Sequence, residues 1–135
     1  MAKNPSKNVI LGKIDISSLL MAYQKSESGL RNAKTDLEKA GAIQYFEFTF
    51  ELAWKTMRRI LVDRGKTLNS PKTVFREAAL EHLIEDPEIW FSFINDRNET
   101  VHTYNHKKAH EIFSHLNSFD DEMKKFIRNI QHLDD

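Results

Sequence analysis

Apolar side chains recur every three or four residues along most of the chain, the signature of helices with one buried stripe. Ile16, Leu20, Tyr23, Leu30, Ala33 and Leu37 predict a first helix from about Ile16 to Ala40. Ile43, Phe46, Phe50, Ala53, Met57 and Ile60 predict a second from about Ala42 to Arg64, with Gly65 as its C-terminal stop. Ser70-Pro71 reads as an N-cap and first helical residue, opening a short helix to about Leu83. Asp86-Pro87 repeats that signal and opens a helix to about His102. Asn105 is placed to cap a last, long helix whose stripe runs Ala109, Ile112, Leu116, Phe119, Met123, Phe126, Ile130 and Leu133. No Asn-Gly or Asp-Gly hairpin signal interrupts this pattern. The expectation is an all-α, antiparallel up-and-down bundle of four main helices plus a short one. Residues 1–13 are expected to form a loose arm, and 14–135 a single domain.

The second helix is apolar on more than its core stripe, since Tyr45, Phe48, Leu52 and Trp54 lie on its other faces. A helix apolar nearly all round is buried on more than one side. In a bundle this small, that predicts contact with a second copy and a homodimer. A helix central to a monomeric core gives the same pattern.

With 135 residues the chain buries roughly two-thirds of its unfolded surface, so a core forms without staples. There is no cysteine, which excludes disulfides and thiolate metal sites. The longest early apolar run, Val9-Ile10-Leu11, is too short for a signal-peptide core, and no later segment approaches a membrane span. A soluble, cytoplasmic protein is expected. Its 20 basic and 20 acidic side chains balance, so net charge gives no drive toward nucleic acid. The distribution is less even: from Lys55 to Arg76 seven cations face Asp63 alone, and from Glu77 to Glu99 seven acids face Arg97 alone. Two solvated helix faces, or a cationic surface beside an anionic one, would both give this split.

Chemistry concentrates at the end of the fourth predicted helix. Trp90, Ile94, Arg97 and Val101 follow one another at helical spacing, so Arg97 stands where an apolar residue is expected. Phe91, Asn95, Asn98 and His102 form the neighbouring stripe, with Asn98 and His102 four apart. A permanent guanidinium beside an imidazole that titrates near neutrality suits binding and cleaving a phosphodiester. Arg97 would hold the phosphate, His102 would move protons, and Asn98 would orient either group. On an ideal helix, positions five apart point about 140° away from each other. The imidazole must therefore fold back at a helix end, or a second copy must complete the site.

His102, His106 and His110 are each four apart and would line one face of an unbroken helix, as zinc or nickel ligands. Asn105 marks a new start there, which leaves only His106 and His110 on one face, so no metal site is expected. Glu47, Glu51 and Lys55 are also spaced by four. Either Glu51 simply pairs with Lys55, or these carboxylates support Arg97 or His102 from across the bundle. No Gly-rich phosphate loop, Ser/His/Asp set or paired-carboxylate pattern is present, and no cofactor is expected.

The block Phe46-Glu47-Phe48-Thr49-Phe50-Glu51-Leu52-Ala53-Trp54-Lys55 is followed by Ser70-Pro71, Arg76-Glu77-Ala78 and Asp96-Arg97-Asn98 through His102-Thr103-Tyr104. Together, from about Ile16 to Leu133, these resemble the nucleotidyltransferase substrate-binding proteins, a family of the HEPN superfamily related to the HepT toxins. The resemblance implies a HEPN-like bundle, a homodimer, and a separately encoded minimal nucleotidyltransferase as partner. It implies a metal-independent ribonuclease site at Arg97, Asn98 and His102, in a toxin–antitoxin pair. It also implies that Tyr104 is the position the partner modifies with AMP. A non-catalytic subunit that presents a nucleotide or other substrate to the nucleotidyltransferase is the alternative reading.

Overall fold

The computed structural model describes residues 7–134. Among these, six α-helices follow a small antiparallel hairpin, β1 (Val9–Ile10) and β2 (Ile14–Asp15). The helices are α1 (Ser17–Asn32), α2 (Asp36–Asp63), α3 (Pro71–Leu80), α4 (Pro87–Glu99), α5 (His106–Ser114) and α6 (Leu116–Gln131). A 3-10 turn, Thr100–His102, extends α4. This is the all-α bundle expected, with α2 against α1, α3, α4, α5 and α6. No helix among the described residues is long and apolar enough to cross a membrane.

Local chemistry sets the boundaries. Ser70 and Asp86 cap α3 and α4 with a proline as the next residue, and Asn105 caps α5 by accepting from the Lys107 and Lys108 amides. After α2, Gly65 takes φ +89°, its amide donates to Val62 and the Lys66 amide to Leu61. That pair of bonds satisfies carbonyls the helix leaves open. The turn after α3 has the same two bonds, His82 to Ala79 and Leu83 to Ala78, but a histidine at φ +63°.

Three boundaries differ from the periodicity reading. The first helix stops at Asn32, because Thr35 and Glu38 form a reciprocal capping box that starts α2 six residues early. Leu37 thereby leaves the first helix and is 83% exposed. The last helix is two: α5 and α6 meet at His115, and Ile112, Leu116, Phe119, Met123, Phe126 and Ile130 stay buried across the joint. Residues 7–13 are not loose. Ile10 is fully buried, and Leu11 and Gly12 both take positive φ in a tight turn that the missing Asn-Gly signal did not reveal. Lys7 and the Leu11 amide both bond Asp134, and the Gln131 side chain donates to the Lys7 carbonyl. Residues 1–6 of the expected arm lie outside the described residues.

The core is aromatic. Trp90, fully buried on α4, meets Phe75 of α3 and Phe93 at 5.3 Å and Phe126 of α6 at 6.1 Å between ring centres. Phe119 of α6 meets Phe46 of α2 edge-on at 4.8 Å. Such pairs contribute about 0.5–1.5 kcal/mol each beyond the area they bury, and they fix α4 against α2 and α6. That packing sets where the end of α4 emerges.

Candidate functional site

The last turn of α4 is tied to the middle of α2. Arg97 places Nη2 3.3 Å from Glu51 Oε2, while the other oxygen of Glu51 is 3.7 Å from Lys55 Nζ. Glu51 therefore contacts both Lys55 and Arg97. The Arg97 side chain is 43% exposed, yet its Nε is enclosed without a hydrogen-bond partner among the described residues. One residue row away, the buried Thr100 hydroxyl lies 2.9 Å from Glu47 Oε2 and 2.7 Å from the Arg97 carbonyl. Thr100 was not singled out from the sequence.

Beyond this cross-link the chain turns tightly. The Thr103 hydroxyl donates to the Thr100 carbonyl, and the Asn105 amide to the His102 carbonyl. His102 and Tyr104 project from the turn into solvent, their rings edge-on, with the phenol oxygen 3.5 Å from Nδ1. Asn98 is also exposed. Arg97 is thus held on the α2 side, while His102 stands exposed at the turn beside Tyr104. Phe48 and Val101, chain neighbours of the cross-linking residues Glu47 and Thr100, are 51% and 71% exposed.

The three histidines separate. His102 is on the 3-10 turn, and His106 and His110 line a cavity of about 350 Å³ with Asp36, Lys39 and Tyr104. Among the described residues no group of three His, Asp or Glu side chains is arranged to hold a metal ion.

A second cavity, of about 420 Å³, lies on the other side of α4. Asp96 faces it, 2.9 Å from His115 Nδ1 at the α5–α6 joint, and burial pushes its carboxyl above the usual range while His115 opposes the shift. His115 was invisible to pattern reading because it sits where one helix was expected to run straight through.

The end of α4 thus carries an arginine tied to a carboxylate of the neighbouring helix and, at the turn beyond it, an exposed histidine, in a small α-helical module. The chain belongs to the nucleotidyltransferase substrate binding protein like family, whose sequence pattern it matches over residues 14–132. It is similar to a Haemophilus influenzae protein named probable ribonuclease HepT, 37% identical over 87 residues, a match covering 59% of this chain and 58% of that one. Its fold resembles a Thermus thermophilus protein of known crystal structure (TM-score 0.80, 30% identity, 84% of this chain and 99% of that one). It also resembles a Haemophilus influenzae protein described as having the fold of a substrate binding domain of a nucleotidyltransferase (TM-score 0.76, 27% identity, 87% and 100% covered).

Proposed function

We propose that the chain is a HepT-like ribonuclease that works as a homodimer and is controlled by a separately encoded minimal nucleotidyltransferase. The observation that carries this reading is Arg97: one nitrogen is steadied by Glu51, the charged head remains partly open to solvent, and the exposed His102 follows at the turn that ends the helix. In the reaction a ribose 2′-oxygen attacks the adjacent phosphorus and the bond to the 5′-oxygen breaks, leaving a cyclic phosphate and a 5′-hydroxyl. His102 takes the 2′-hydroxyl proton, and an imidazolium returns a proton to the leaving oxygen. Arg97 stabilises the charge that builds on the phosphoryl oxygens, with Asn98 orienting the strand. Two copies related by a twofold axis would bring two Arg97–His102 sets into one cleft, which answers the angular gap within one helix.

This mechanism uses no metal. Purified chain incubated with single-stranded RNA should cleave it in the presence of EDTA, and His102→Ala should slow cleavage by about 10²–10⁴-fold. Cleavage that needs added zinc or manganese, or that survives His102→Ala, overturns the assignment.

Tyr104, 84% exposed, is the proposed acceptor of AMP: its phenol oxygen attacks the α-phosphate of ATP in the partner's site and pyrophosphate leaves. The added phosphate would pair with Arg97 or His102 and the nucleotide would fill the approach to both, excluding RNA. Intact-mass measurement after co-expression with the nucleotidyltransferase should show AMP increments that vanish in Tyr104→Phe. A chain neutralised by the partner with Tyr104 unmodified rejects this switch.

The words 'substrate binding' in the family description and in that of the Haemophilus influenzae structure motivate a second reading, a non-catalytic subunit that presents a nucleotide or other substrate to the partner. Partner turnover that depends on this chain, with no RNA cleavage by the chain alone, selects it.

A further inference from the structure

Many cations of this bundle face a carboxylate. Arg64 lies against Glu81 and Lys66 against Glu77, so part of the basic segment seen in the sequence is neutralised by the acidic one that follows, and Lys108 lies against Glu99. Lys72 and Arg76 differ. Neither has a carboxylate partner among the described residues, although they stand four apart on α3, where like charges repel. Both lean over one ring: Lys72 Nζ is 5.2 Å and the Arg76 guanidinium carbon 5.3 Å from the centre of Phe91 on α4. The ring's negative face gathers the two cations without cancelling their charge.

Phe91 begins a strip that leads to His102. Asn95 and Asn98 follow it on the same face of α4, both exposed and both uncharged, and His102 closes it. The carboxylates of those turns point elsewhere, Asp96 to His115 and Glu99 to Lys108. At about 1.5 Å per residue, roughly 16 Å separates the Phe91 level from His102. The strip therefore has a pair of unneutralised cations at one end, amide side chains between, and the Arg97–His102 end opposite.

We infer that Lys72 and Arg76, gathered over Phe91, form a phosphate-binding subsite that holds a single RNA strand along α4 on its way to His102. The inference rests on the ribonuclease reading for its ligand but uses residues outside that site. Amides between the two ends suit a ribose-phosphate backbone read without strong sequence preference, and the cations supply the affinity.

The test is fluorescence anisotropy of a labelled single-stranded RNA of mixed sequence, with the full-length chain carrying His102→Ala so that the strand stays intact. Adding Lys72→Gln and Arg76→Gln together should weaken binding about tenfold at low salt. It should also lower the slope of log affinity against log salt by about 1.4, two phosphate contacts at ~0.7 each. Lys124→Gln with Lys125→Gln removes the same charge from cations that already face carboxylates on α6, and should change binding little. Equal loss in both pairs means bulk charge and overturns the subsite. An unchanged slope in the Lys72/Arg76 pair also overturns it, and the ribonuclease reading survives if the chain with His102 intact still cleaves. If that pair keeps RNA but loses capture of a poly-glutamate peptide, the cations serve an acidic protein and the RNA subsite is wrong. Absence of both binding and cleavage sinks subsite and ribonuclease together.

Discussion

Among the described residues, His82 is the one position outside the N-terminal hairpin where a side chain other than glycine is held at positive φ. Its left-handed backbone costs about 1–2 kcal/mol, accepted because the turn lets Leu83 reach the core, where it is fully buried. His82 itself is exposed. His82→Gly should therefore raise stability by about 1 kcal/mol, the strain relief less the extra freedom glycine gives the unfolded chain. A higher urea midpoint with an unchanged slope is the expected result. At this scale the sequence was informative in an uneven way. Arg97 stood out because an arginine interrupted an apolar stripe, whereas the four-residue spacing of Glu51 pointed to Lys55 and left its contact with Arg97 as one of two alternatives. Thr100 and His115 carried no comparable break in pattern. Their importance comes from contacts across the bundle, Thr100 with Glu47 and His115 with Asp96. Periodicity along one helix contains no information on those.

The helices themselves were legible wherever a cap and a stripe agreed, as at Ser70-Pro71, Asp86-Pro87 and Asn105. They were misread where the two conflicted. Leu37 fits the stripe of the first helix, yet Thr35 and Glu38 cap the second, and local hydrogen bonding overrode the apolar spacing. The bonds made by that box are exposed, and Thr35→Ala should cost about 1 kcal/mol of stability. Amide exchange would sharpen the point: protection should fall in the first turn of α2 and stay unchanged beyond Ile43, whose side chain is buried. The joint at His115 is the opposite case. There the apolar spacing continues through a break, so the stripe alone could not reveal it.

For the whole molecule, the apolar surplus of α2 divides in two. Part of it is satisfied inside the chain, where α1 lies along α2 and the Thr49 hydroxyl donates to the Ala22 carbonyl. Phe48 remains half exposed near the Arg97 end, with Val101 more so. The proposed dimer would cover these two. Light scattering at micromolar concentration should give about twice the chain mass, and Phe48→Glu should shift the population toward monomer and reduce any RNA cleavage with it. A monomeric parent chain removes the composite cleft. The N-terminal hairpin has a different bearing on how the molecule comes into being. Its anchor, Asp134, is 123 positions downstream of Leu11. At the usual ribosomal pace of ~5–20 residues per second, about 6–25 s pass between the synthesis of the two. Through that interval Ile10 has no finished core to enter, and the hairpin's contacts close only once α6 and Asp134 have been made.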